Sequence, residues 1–353
     1  MAWFTPNSRP LLIGSLPLTD HVKATRLVFE HTPETPLWVQ LPAHPKEGMI
    51  DQFLPGFPGL KEEGEASLID PTTDAFAQEM LTFYEKVLRI TDSPEEMEIA
   101  PFAISTQRAK GFYTLFECLH ELPCPPLALK GQITGPITFG TAVKDHQGRA
   151  IFYNDTLRDI MVKHLAMNAR WQTQMLGRKA KPLLFFDEPA LAAFGTSAYV
   201  TITEEDVISA LNEMAEAVHA EGGLCGVHVC ANTQWSLLFD ADIDIVSFDA
   251  YSYFDRFCLF EKELKPFLEK GGRLAWGIVP TGSIADIEKE SVESLFERWE
   301  KQMAALEAAG ISRDRVKEAS FVTPSCGTGS LPLAHAQKVL ALTSDLSAKI
   351  RGV

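Results

Sequence analysis

The stretch LCGVHVCANTQW, from Leu224 to Trp235, places His228 and Cys230 two positions apart at the end of an apolar run. In an extended chain that spacing puts both side chains on one face, because alternate residues of a strand point the same way. An imidazole and a thiolate sharing a face can begin a soft-metal site. They also fit a buried imidazole beside a small apolar thiol, since free cysteine is among the most buried residue types. Three further segments bear on the choice. LLFFDEPAL carries Asp187 and Glu188, DIVSFD ends on Asp249, and TPSCGTGS carries Cys326, each after a short apolar run. His228, Cys230, Cys326 and Asp249 together supply one imidazole, two thiols and a carboxylate, a donor set that suits tetrahedral Zn2+. Asp249 taken alone reads rather as a carboxylate bonded to a helix N-terminus or to a cation. Cys225 falls on the opposite face of its run and reads as structural, as do Cys118, Cys124 and Cys258 in helical or loop surroundings.

Residues so far apart in the chain converge only if the fold brings strand ends together. Apolar runs rich in branched and aromatic residues recur at Leu11–Gly14, Trp38–Leu41, Leu127–Ile133, Leu183–Asp187, Leu224–Val229, Ile243–Phe248, Leu274–Ile278 and Ala319–Thr323. Segments of helical period separate them, among them Asp20–His31, Asp74–Ile90, Gln107–His120, Tyr153–Leu176, Glu204–Ala220, Ser291–Ala309 and Leu333–Leu346. Eight strands alternating with helices predict an α/β fold, a (β/α)8 TIM barrel in a single domain spanning residues 1–353. Such barrels carry their chemistry at the C-terminal ends of the strands, where Ser15, Asp187, His228, Cys230, Asp249 and Cys326 fall. The Pro- and Gly-dense stretch from Pro42 to Pro71 reads as either a surface excursion or a lid over that end.

Composition narrows the partners. The 353-residue chain is 46% hydrophobic and carries a formal charge of −15, without a basic stripe for a phosphate backbone, so nucleic acid is not an expected partner. No apolar run reaches the ~18 residues of a membrane span, and the N-terminus lacks a signal-peptide pattern, so a cytoplasmic protein without membrane contact is expected. Six cysteines in a chain of this length give no disulfide framework.

Six motifs in order, LLIGSLP, KGQITGPITFG, FFDEPAL, HVC, ADIDIVSFD and TPSCG, resemble the catalytic barrel of cobalamin-independent methionine synthase. That family belongs to a superfamily shared with uroporphyrinogen decarboxylase and with zinc methyltransferases acting on coenzyme M. The resemblance spans most of the chain and implies a core-only form without the N-terminal barrel of the long enzymes. It places the zinc ligands on His228, Cys230 and Cys326, with Asp249 where the family has glutamate. It places the homocysteine carboxylate on the chain around Ile13, Gly14 and Ser15, and the amine on Asp187. Two family features have no match. The second amine-binding glutamate of a Gly-Glu pair is not found, Gly64–Glu65 lacking its surroundings, and AWGIVPTGS holds no histidine where the family keeps a proton donor.

The resemblance therefore implies a zinc-dependent methyltransferase that methylates homocysteine to methionine. A methyl group leaves a folate nitrogen well only when that nitrogen is protonated, whereas it leaves cobalt without a proton. The missing histidine thus favours a methylated corrinoid, either methylcobalamin or a corrinoid protein, over methyl-folate, unless Glu188 or His44 supplies the proton. Other readings are methyl transfer to another thiol such as coenzyme M, decarboxylation of a porphyrinogen, and a non-catalytic binding protein on the same barrel.

Overall fold

The computed structural model describes residues 5–63, 66–92, 100–199 and 201–353. Two strands in the Pro42–Pro71 stretch, β1 (Leu60–Glu63) and β2 (Ala66–Ile69), pair as an antiparallel hairpin that the sequence pattern did not announce. The six strands β3 (Ala128–Thr134), β4 (Lys181–Asp187), β5 (Leu224–Val229), β6 (Ile245–Phe248), β7 (Arg273–Val279) and β8 (Ser320–Pro324) form one curled parallel sheet in chain order. Each runs within about two residues of its expected bounds.

The two N-terminal runs depart from expectation. Neither Leu11–Gly14 nor Trp38–Leu41 is a regular strand, so the sheet is not a closed eight-stranded ring of ladders. Isolated parallel bridges instead join Pro10 to Val322, Ser15 to Gln40 and Leu37 to Lys130. Hydrogen bonds flank these bridges: Leu11 N donates to Val322 O at 2.9 Å, Gln40 N to Gly14 O at 3.1 Å, and Lys130 N to Pro36 O at 2.9 Å. Pro10 and Pro36 carry no amide hydrogen, so segments this short cannot extend a ladder on both sides.

Alternation sorts the side chains into two layers. Leu11, Ala128, Leu183, Phe185, Leu224, Ile245, Ala275 and Phe321 pack together inside the curl of the sheet. Cys225, Val227, Val229, Val246 and Phe248 join the larger core between sheet and helices. Gly226 falls on the inner face because a Cβ there would lie 2.9 Å from the Phe185 ring, so glycine makes room for that ring. Burying an aromatic side chain such as Phe185 contributes roughly 1.5–3 kcal/mol.

Helix boundaries follow their capping residues. Thr203 and Asp206 form a capping box on Glu204–Ala220, Ser291 caps Val292–Ala308, and Asp20 caps His21–His31. The last helix runs on to Arg351, five residues past the expected end at Leu346, and stops where Gly352 adopts a left-handed φ of 75°. No helix among the described residues is long and apolar enough to cross a membrane.

The Pro42–Pro71 stretch is tied into the body. Phe53 and Phe57 are buried in the main core, Thr134 Oγ1 donates to Met49 O, and His164 of helix Asp155–Gly177 donates from Nε2 to Phe53 O at 2.8 Å. Burial pushes the His164 imidazole down to about 4, so it is neutral in the folded chain. A folded-state value below the unfolded one means that the unfolded chain takes up the proton first as pH falls. Stability should therefore drop between about pH 6.5 and pH 4 on this group's account. Urea unfolding at pH 7 and pH 5 should show a smaller acid loss in His164→Phe than in the wild type. Equal losses would assign the acid sensitivity elsewhere.

Candidate functional site

Strands β4, β5 and β6 lie side by side in a register that pairs Asp187 with His228 and His228 with Ser247. All three side chains are buried. The next residue on the inner face of β5 is Cys230, one step beyond the strand end. Cys326 arrives from the loop after β8. The metal-ligating atoms of His228, Cys230 and Cys326 all lie within 4.8 Å of one another.

The imidazole of His228 is held in one orientation. Its Nδ1 lies 2.9 Å from Ser247 Oγ, and its Nε2 is buried with no hydrogen-bond partner among the described residues. Burial, with the Lys130 charge adding to it, pushes the ring down to about 3, so it is neutral. In the tautomer whose Nδ1–H donates to the Ser247 hydroxyl, Nε2 is a bare lone pair beside the two sulfurs. Cys230 and Cys326 share one proton: a hydrogen bond from Cys326 brings Cys230 down to about 7, while the Cys326 thiol is raised. A buried imidazole nitrogen without a partner, beside two thiols that give up one proton near neutral pH, is the donor chemistry of a soft divalent metal, and Ser247 supplies the outer hydrogen bond that such a ligand histidine needs.

Asp249 takes another role. It is the N-cap of helix Ala250–Phe257, where its Oδ1 accepts from Ser252 N at 2.8 Å, and it is not among the three grouped ligands. A shorter carboxylate directly preceding a helix is well placed to cap it.

A cavity of about 440 Å³ opens over the three ligands, lined by Ile13, Gly14, Ser15, Asp187, His228, Cys230 and Cys326 among others. Seven of the eight residues singled out in the sequence thus face one space. Asp187 offers an unpartnered, buried Oδ1, and burial pushes its carboxyl up to about 6 while the Lys130 cation opposes that. Ser15 is already engaged: its Oγ accepts from Gly329 N at 3.2 Å, and its carbonyl accepts from Thr328 N at 3.0 Å. A Cβ on Gly327 would lie 2.3 Å from Ser15 Oγ, so the Cys-Gly step after β8 is what lets Cys326 come this close to Ser15. From the excursion, Glu47, Gly48 and Met49 line the opposite wall.

Lys130 and Glu47 in the surroundings were not used in the motif reading, and Glu188 takes a different part from the one considered there. Lys130 is fully buried in β3, its Nζ donating to Ile13 O and lying 4.6 Å from the Phe185 ring centroid. Burial pushes it down to about 8, with Asp187 opposing. A lysine inside the apolar run ALKGQIT was the visible clue, because lysine is almost never fully buried without a purpose. Glu47, equally buried, lies 2.6 Å from His21 Nε2 and accepts from Leu41 N at 3.0 Å, which ties the excursion to the segment before it. Glu188, the neighbour of Asp187, faces away from the chemistry. It accepts from Ile137 N, Thr138 N and Thr138 Oγ1 at 2.6–2.8 Å, so it closes the start of helix Pro136–Ala142. Burial pushes Glu188 up to about 7 against those three donors. His44 also has an occupant, the carbonyl of Thr19 at 2.9 Å.

A second group, His219, Cys225 and Asp244, sits at the other end of β5. There Asp244 Oδ2 accepts from His219 Nε2 at 2.7 Å and from Cys225 N at 2.9 Å, so its members satisfy one another.

No family model and no curated protein matches the chain. Solved structures do. A protein of Listeria monocytogenes provisionally described as a vitamin-B12-independent methionine synthase superposes with a TM-score of 0.51 at 13% identity, over 97% of this chain and 98% of that one. At that identity the likeness establishes a shared fold. A methyltransferase from Methanosarcina mazei gives a TM-score of 0.46 at 16% identity over 67% of this chain and 64% of that one, under two thirds of its length. A catalytic module of the pneumococcal exo-β-D-N-acetylglucosaminidase gives 0.46 at 9% identity.

Because Glu188 serves three donors, removing it leaves all three buried and unpaired. Glu188→Ala should cost about 3 kcal/mol or more in stability. Gly135→Ala should act in the same direction, since its Cβ would fall 2.4 Å from the same carboxylate. Urea midpoints measure both, and an unshifted midpoint in Glu188→Ala would show that the three donors find other partners.

Proposed function

We propose that the protein is a zinc-dependent methyltransferase of the methionine-synthase type, acting on the thiol of homocysteine. The observation that carries the reading is the orphaned Nε2 of His228, buried beside Cys230 and Cys326 with its other ring nitrogen on Ser247. In this reading the six-stranded sheet and the two bridged segments act as one (β/α)8-type barrel, and residues 42–71 cover its mouth. His228, Cys230 and Cys326 would hold the zinc, leaving a position for the substrate sulfur; Asp249 is dispensable as a ligand because it caps a helix.

When bound, zinc supplies the Lewis acidity that keeps an incoming thiol ionised near neutral pH. The chain's own residues do the rest. Asp187 has a buried oxygen without a partner, which an ammonium group on the substrate would satisfy. The segment Ile13–Ser15 borders the same cavity and takes the substrate carboxylate. Lys130 lies beneath, donating to the Ile13 carbonyl, and does not line the cavity. A sulfonate thiol such as coenzyme M would want a cation at the mouth, where Asp187 stands instead.

Glu188 is turned to the start of helix Pro136–Ala142, His44 Nε2 is bonded to the Thr19 carbonyl, and neither residue lines the cavity where a folate nitrogen would need a proton. A methylated corrinoid, free or on a partner protein, is therefore the favoured methyl donor over methyl-folate.

Purified protein should bind about one zinc per chain, and Cys230→Ser or Cys326→Ser should weaken that binding strongly. A folded wild type with no zinc at micromolar concentrations overturns the proposal. Asp187→Asn should weaken homocysteine by roughly 10- to 150-fold while changing 4-mercaptobutyrate, which lacks the amine, far less. Equal losses for the two thiols would remove Asp187 from the amine.

A further inference from the structure

A second cavity, of about 460 Å³, lies outside the curl of the sheet, between the excursion and helices Phe76–Asp92 and Asp155–Gly177. Phe57, Phe83 and Phe102 form its walls, and Lys86 and Arg108 stand among its lining residues. Among the described residues that line it, one buried polar atom has no hydrogen-bond partner: Nδ1 of His164, a residue 1% exposed. The protonation of that ring follows from its other nitrogen. Nε2 lies 2.8 Å from the carbonyl oxygen of Phe53, which can only accept, so Nε2 carries the hydrogen and Nδ1 is a bare lone pair. Asn168, whose Nδ2 donates to the His164 carbonyl at 2.8 Å, lines the same wall.

Buried acceptors are rarely left empty, and a space of this size with aromatic walls, polar groups such as Glu79, Lys86 and Arg108 in its lining and one unpartnered acceptor has the make-up of a small-molecule site. Phe57 meets the His164 ring edge to face at 5.6 Å and Phe83 lies at 6.3 Å, so the imidazole is clamped and its lone pair has a fixed direction. We propose that this cavity is a binding site for a planar heteroaromatic molecule that donates an N–H to His164 Nδ1 while its ring packs against the phenylalanines. The cavity is separate from the cavity over His228 and stands next to it. Gln52 lines the one and Gln40 the other, and Gln40 Nε2 donates to Gln52 Oε1 at 2.7 Å, so this amide pair links the two linings. The proposal does not depend on zinc or on homocysteine.

The test uses the full-length protein and three probes: adenine and isocytosine, which carry ring and amino N–H donors, and quinoxaline, a planar ring system without one. Binding is followed by protein-observed NMR or calorimetry. At least one donor-bearing probe should bind, and quinoxaline should bind at least about tenfold more weakly. His164→Phe keeps a ring in place and should erase that difference. Thr82→Trp, a half-buried lining position on helix Phe76–Asp92, should fill the space and abolish binding even if His164→Phe does not fold. Failure of every probe to bind the wild type at millimolar concentration overturns the proposal. So does equal binding of quinoxaline and the donors, or donor binding that survives Thr82→Trp unchanged. Loss of zinc binding in Cys230→Ser leaves all these outcomes where they were.

Discussion

The parallel register of β4, β5 and β6 is the constraint on which the site depends. It sets Asp187 beside His228 and His228 beside Ser247 on the inner face. Side chains alternate along a strand, so a slip of one residue would turn all three outward and bring Phe186, Val227 and Val246 into the mouth. The inner layer of Leu183, Phe185, Leu224 and Ile245 opposes such a slip, because the same shift would expose apolar area to the polar mouth. Packing low in the sheet thereby holds the polar chemistry above it.

The rest of the site reaches the strand ends by close approach of backbone. Gly327 and Gly329 let the loop after β8 fold against Ser15, which brings Cys326 to the His228–Cys230 pair. Gly135 lets Glu188 enter the start of helix Pro136–Ala142 and so fixes the turn that follows Asp187. In each case a side chain occupies the space a Cβ would need. The glycines are there for proximity, since none of these three has a positive φ among the described residues.

Electrostatically the site combines groups that would each be costly alone. A carboxyl, a neutral imidazole, two thiols and a buried ammonium lie within a few strands of one another. Lys130 offsets Asp187 and disfavours protonation of His228, so one buried cation keeps the carboxylate accessible and the imidazole lone pair free. Asp187 partly compensates that buried positive charge.

Sequence by itself determined the period-two alternation of the strands, and with it that His228 and Cys230 share one face while Cys225 takes the other. It also determined the capping of Glu204–Ala220 by Thr203, a local pattern of residue types. Those features are short-range, and a strand or cap is decided by neighbours a few positions away. What only the tertiary structure decided is which of the inward groups meet. Asp249 and His228 sit at adjacent strand ends, yet Asp249 is spent on the helix that follows it. Lys130 was an anomaly in an apolar run until Ile13, 117 positions away, came beside it. The segments Leu11–Gly14 and Trp38–Leu41 read as strands from their apolar content, and the isolated bridges in and beside them follow from prolines whose missing donors matter only once a partner strand is present. Contacts between residues distant in the chain depend on the packing of every element between them, which local residue patterns do not encode.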